Sequence, residues 1–88
     1  MRPLNYALLH YFTINKEGDA VSVMEALKDQ YGNSRTFNRK SVAETLMTAA
    51  SNKLLEETHC GIDENDNSLR IYYKVTSYGS ELINRFIK

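Results

Sequence analysis

At Leu54 the spacing of apolar residues changes from helical to alternating, and a run of turn formers follows. That switch limits the chain to a helical body carrying a β-hairpin, because the two periods cannot belong to one kind of element. Beyond it, Leu55, Glu57 and His59 alternate with Leu54, Glu56, Thr58 and Cys60, which predicts a strand. Asp63-Glu64-Asn65-Asp66-Asn67 then concentrates residues that favour turns. On its far side Leu69, Ile71, Tyr73 and Val75 alternate with Ser68, Arg70, Tyr72 and Lys74, the second strand of the hairpin.

Before the switch, three segments have helical spacing. Leu4, Ala7, Leu8, Tyr11 and Phe12 define a first helix from about Pro3, suited to the first turn, to Ile14. The polar stretch 15–19 reads as a turn, and Ala20-Val21 is long enough only for a bridge-like strand. Ser22 and Glu25 match a capping box that starts a second helix, with Met24, Leu27 and Tyr31 as its buried stripe. Gly32-Asn33 closes it with residues that tolerate a left-handed cap. After a turn at 33–37, Asn38 can cap a third helix running to about Asn52, with Val42, Leu46 and Ala49 inward. Its other face, Arg39, Lys40, Ser41, Glu44, Thr45 and Thr48, is polar. Past the hairpin, Thr76 or Ser77 can cap a last helix carrying Tyr78, Leu82, Ile83, Phe86 and Ile87.

With 88 residues there is room for a single domain, 1–88, and one core. Apolar residues at 42% and charged residues at 25% fit an ordinary globular chain. No apolar run approaches the roughly 18 residues a membrane span needs, and the first residues lack the pattern of a signal peptide, so a cytoplasmic location is expected. Cys60 is the only cysteine, which excludes an intrachain disulfide; beside His59 and among acids it reads as an inert thiol. No nucleophile and base series, phosphate loop or metal motif is found, so neither catalysis, a metal nor a cofactor is expected.

Charge sums to zero but lies in blocks. Arg35, Arg39, Lys40 and Lys53 outweigh Glu44 in the segment 35–53, whereas 54–69 carries five acids and no lysine or arginine. A basic block attracts phosphate and an acidic block repels it.

The order helix, helix, helix, hairpin, helix resembles the winged helix-turn-helix domain, an α+β fold. Local motifs carry the resemblance further, towards bacterial or phage regulators of the MarR and PadR type. The series Phe37-Asn38-Arg39-Lys40-Ser41-Val42, Leu46, Ala49 and Lys53-Leu54-Leu55 is similar to the family's third helix and wing entry, with Lys53 where a glycine is customary. Tyr73-Lys74-Val75-Thr76-Ser77-Tyr78-Gly79 is similar to its wing exit, Tyr-x-Leu-Thr-x-x-Gly. The turn between the second and third helices is longer than the usual three or four residues.

The resemblance implies a sequence-specific transcriptional regulator that reads the major groove of double-stranded DNA with the helix from about 38 to 52. Arg35, Asn38, Arg39, Lys40, Ser41, Thr45 and Thr48 would then face DNA, with Arg70 and Lys74 reaching the backbone from the solvent face of the second wing strand. Asp63, Glu64 and Asp66 would keep the wing tip off phosphate. The alternative is a protein-interaction module whose acidic wing binds a basic protein partner. Apolar width on the terminal helices predicts a homodimer through Leu4, Leu8, Tyr11, Leu82, Ile83, Phe86 and Ile87.

Overall fold

The computed structural model describes residues 2–86, in the order α1 (Leu4–Ile14), α2 (Ala20–Tyr31), α3 (Arg39–Ser51), β1 (Leu55–Ile62), β2 (Leu69–Val75) and α4 (Ser77–Phe86). The order and kind of element are those predicted. Leu8, Phe12, Val23, Val42, Leu46, Ala49, Leu55 and Tyr73 form the core, so each of α1, α2, α3 and both strands contributes to it.

The start of α2 differs from the capping box predicted at Ser22 and Glu25. Asp19 is the N-cap: its carboxylate accepts from the Ser22 amide at 3.0 Å and the Ser22 hydroxyl at 2.7 Å, so the helix begins at Ala20. The bridge expected at Ala20-Val21 lies two residues earlier, where Gly18 and Tyr73 exchange backbone hydrogen bonds of 3.0 and 2.9 Å. Starting the helix earlier makes Val23, with Tyr31, the buried residue of α2, while Met24 and Leu27 lie half-buried beside it. The left-handed cap expected at Gly32-Asn33 is also absent. Gly32 stays right-handed at φ −56°, and its amide still donates to Lys28.

The left-handed cap falls instead at the end of α3. Lys53 has φ 68°, its amide donates to Ala50 and the Leu54 amide reaches back to Ala49, the two bonds of a Schellman ending. A glycine is customary here because only glycine takes this conformation without a Cβ clash. Leu54 is thereby turned straight into the hairpin. At the hairpin's other end Thr76 donates its hydroxyl to the Lys53 carbonyl at 2.6 Å and accepts from the Gly79 amide at 2.8 Å, capping α4. Gly79 lies so close that a Cβ there would stand 2.0 Å from the Leu54 carbonyl oxygen. The Thr-x-x-Gly spacing therefore has a steric cause: the threonine fastens α4 to the wing entry, and the glycine lets the backbones meet.

The strands pair antiparallel, with Leu55 opposite Val75 and Ile62 opposite Leu69. The strict alternation predicted for the first strand stops at Glu57, because the register shifts between Glu57 and His59. A bulge inserts one residue and reverses which face later residues occupy. Glu57 faces Tyr73, but His59 faces Tyr72, and their rings stack at 4.4 Å. Past the bulge β1 is exposed throughout, and at the tip Ile62 and Leu69 are exposed, since no core lies beneath them.

α4 packs on α1. That contact corrects the predicted dimer surface, because Leu8 and Ile83, each 1% exposed, are buried within the protomer. Leu4, Tyr11 and Leu82 are half-buried, Phe86 is exposed, and Ile87 lies outside the described residues.

Candidate nucleic-acid interface

Asn38 opens α3 by accepting from the Ser41 amide at 2.9 Å, while its amide nitrogen donates to the Arg35 carbonyl at 3.3 Å. Both ends of this side chain serve the backbone, so its place in the predicted DNA-binding set is that of a cap. Thr45 likewise spends its hydroxyl on the Ser41 carbonyl at 3.0 Å. With Val42, Leu46 and Ala49 buried, helical geometry makes Lys40, Glu44, Met47 and Ser51 the outermost ridge, with Thr48 exposed beside it. Ser41 and Thr45 are turned partly inward and, with Thr48, line a groove of about 540 Å³ against Leu4, Leu8 and Leu9 of α1. Sequence reasoning missed Met47, 53% exposed on an otherwise polar face. Its position one residue after Leu46, on the side away from the core, could have shown it.

Arg35 is exposed in the turn before α3, and Arg39 and Lys40 occupy the first helical turn. Three cationic side chains therefore lie within six residues at the start of the helix. The helix N-terminus adds the partial positive charge of its unpaired amides, so this end attracts phosphate whatever the base sequence.

The wing folds back toward that same end. Its tip is a built turn: Asp63 and Ser68 close it through the Asp63 amide, Asn67 takes φ 60°, and the Asn65 amide donates to the Asp63 carboxylate. Asp66 accepts from the Ser68 amide at 3.0 Å and hydroxyl at 2.6 Å through Oδ1, and Oδ2 meets Nη1 of Arg39 at 3.1 Å. The Ser68 hydroxyl and amide hold its carboxyl below the usual carboxylate range, and Arg39 adds to the effect.

Arg70 is not on an open solvent face, as the strand alternation predicted. Its Nε and Nη2 donate to Asp19 at 2.5 and 3.0 Å, Nη1 lies 3.6 Å from Asp63, and the guanidinium stands 5.5 Å from the Tyr72 ring centre. Asp19 is 1% exposed. Burial alone would push its carboxyl up; the Arg70 guanidinium and the Ser22 hydroxyl and amide outweigh that and bring it down to about 2. Arg70 in turn is held more firmly protonated by the Asp19 carboxylate. The physical reason for the difference is the bridge at Gly18, which brings the α1–α2 turn over β2 and sets an unforeseen carboxylate beside the arginine. Lys74 is exposed, as predicted, and lies 3.3 Å from Glu56 across the hairpin.

Of the three tip acids, Asp63 is half-buried and Asp66 faces Arg39, while Glu64 is exposed. No helix of the described residues is long and apolar enough to cross a membrane.

No protein-family model matches this sequence, and no curated protein aligns with it. Solved structures do match. PadR of Bacillus subtilis, in complex with operator DNA, superposes with a TM-score of 0.73 at 17% identity, over all of this chain and 49% of that one. A PadR-like transcriptional regulator from Bacillus cereus superposes at 0.69 and 20% identity, over 94% of this chain and 76% of that one. The chain thus spans about half the length of the first of these structures and about three quarters of the second. The likeness establishes the winged helix fold.

Proposed function

We propose that this domain is a sequence-specific DNA-binding transcriptional regulator that lays α3 in the major groove. The observation that carries the reading is the cationic start of α3, Arg35, Arg39 and Lys40, beside the wing tip on a fold shared with a regulator crystallised on its operator. Arg39 and Lys40 meet phosphate or guanine from the first turn, and Lys40, Glu44, Met47 and Thr48 supply the base-facing ridge. Glu44 can accept from a cytosine amine, and Met47 can pack on a thymine methyl. Lys74, at the base of the wing, serves as a backbone contact, whereas Arg70 is committed to Asp19.

A homodimer fits the same reading. Tyr78, Leu82 and Phe86 recur every fourth residue along α4 in a stripe flanking the buried Gly79 and Ile83, with Tyr78 56% and Phe86 69% exposed. Joining two such stripes across a two-fold axis would present two reading helices to a palindromic site. The alternative, capture of a basic protein by the acidic wing, has less support, because Asp63 and Asp66 already face arginines of the same chain.

The test is selection from a randomised duplex library, followed by titration of the enriched duplex with the Arg39→Ala, Lys40→Ala double variant. Loss of two such contacts should weaken binding roughly 100-fold at low salt. Undiminished affinity would overturn the assignment of α3.

A further inference from the structure

The tip of the wing meets the start of α3 through an ion pair, Arg39 and Asp66, 27 residues apart in sequence. Three features set it apart from an ordinary surface ion pair. Its carboxylate does not wander: Oδ1 is held by both the amide and the hydroxyl of Ser68, at 3.0 and 2.6 Å, within a turn closed by the Asp63–Ser68 and Asn67–Asp63 backbone bonds. Only Oδ2 is left for Arg39, and it takes a single nitrogen, Nη1, at 3.1 Å. A guanidinium has five N–H donors in a planar fork, so fixing it through one nitrogen leaves the edge formed by the other two nitrogens available. Finally, Arg39 is in the first turn of α3, where an arginine on a long, flexible stem would otherwise choose between base edges and the nearer phosphates.

We propose that Asp66 is a positioning residue for Arg39: the wing's carboxylate holds one nitrogen of the guanidinium and turns its other edge toward a guanine in the major groove. The inference rests on the DNA-binding reading above and adds to it a reason for an acidic wing. A bidentate arginine requires the guanine O6 and N7 to meet two coplanar donors, and a guanidinium already held in plane loses less freedom on meeting them. The same carboxylate repels phosphate, which penalises the sequence-independent mode of binding in which Arg39 would neutralise the backbone. Asp66 therefore trades total affinity for discrimination. The wing contributes to recognition without touching a base.

Asp66→Asn is the informative variant. It keeps an oxygen for Ser68 and replaces the oxygen facing Arg39 by an amide nitrogen, which cannot accept. Library selection with the wild-type chain, Arg39→Ala, Asp66→Asn and the double variant reads the base preference position by position. Titration against the wild-type-selected duplex and against a scrambled duplex over a range of salt completes the measurement.

The wild type should enrich a guanine at one position that Arg39→Ala no longer enriches. Asp66→Asn should relax that same position, lower the ratio of selected to scrambled affinity roughly tenfold and bind scrambled DNA more tightly. Its salt dependence on scrambled DNA should be steeper by about 0.9 in log–log slope, the value of one added phosphate contact. In the Arg39→Ala background Asp66→Asn should leave the selected-to-scrambled ratio unchanged. Its melting temperature should equal that of the wild type, since the pair is exposed. Retention of the guanine preference by Asp66→Asn, or an equal loss of specificity without Arg39, would overturn the positioning role alone. A wild-type chain that enriches no sequence would overturn the DNA-binding reading and this role with it.

Discussion

Two aspartate–arginine pairs hold the wing to the helical body, and they differ in everything that decides what an ion pair does. Asp19 is buried, caps α2, and meets Arg70 through two nitrogens; Asp66 is exposed at the tip and meets Arg39 through one. Removing one partner of a buried pair leaves a charge without water or counterion, whereas water replaces a lost partner at the surface. The first pair is therefore part of the fold, and the second is open to a ligand. On the proposed reading, the same two residue types serve stability in one place and recognition in the other.

The frame on which both pairs depend can be broken without touching a charge. Gly79→Ala would place a Cβ 2.0 Å from the Leu54 carbonyl oxygen, where only backbone movement can relieve the clash. A loss of about 3 kcal/mol or more in denaturant unfolding is expected, comparable to severe overpacking.

Asp19→Ala is the next largest, at about 3 kcal/mol, since it removes the main partner of Arg70, leaving only Asp63 at 3.6 Å, and uncaps α2 together. The pH dependence separates this pair from the rest. Asp19 titrates at about 2 in the folded chain, below its ordinary 3.8. Its contribution is therefore complete above pH ~4 and falls away between about 4 and 2, because the unfolded chain takes up the proton first. The wild type should lose stability steeply through that window, and Asp19→Ala should lose less. Equal slopes would show that Asp19 does not carry the acid sensitivity.

Lys53→Gly reverses the sign. The left-handed position at the end of α3 should relax without its Cβ, raising stability by about 1 kcal/mol in the same unfolding measurement, with both ion pairs intact. Asp66→Asn stands last in the series, with no change in melting temperature and its whole effect on specificity.

Much of this order was legible in the chain. The Asn38 cap and the Val42, Leu46, Ala49 stripe mark α3 nearly residue for residue, and the change of period at Leu54 marks the hairpin but not the bulge after Glu57. The start of α2 was misread because Ser22 satisfies the capping pattern locally, whereas Asp19 has a stronger acceptor and a distant arginine to answer it. The candidate DNA surface was legible in outline, as a basic and polar helix face. Which of its side chains were already spent was not: Asn38, Thr45 and Arg70 all bond within the protein. The terminal helices mislead for a related reason, since an apolar stripe has the same spacing whether it covers its own chain or another. Leu8 and Ile83 proved to do the former.

By itself the sequence determined the kind and order of the elements, because periodicity, capping and turn formation are local and act within a few residues. It also determined that the charge would be divided between a basic helix start and an acidic wing. Only the tertiary structure decided which charges meet. Asp19 and Arg70 are 51 residues apart, Arg39 and Asp66 27, and no local rule pairs them. The bridge at Gly18 and the turn at the wing tip bring them together, so one acid stabilises the fold while the other faces the first turn of α3.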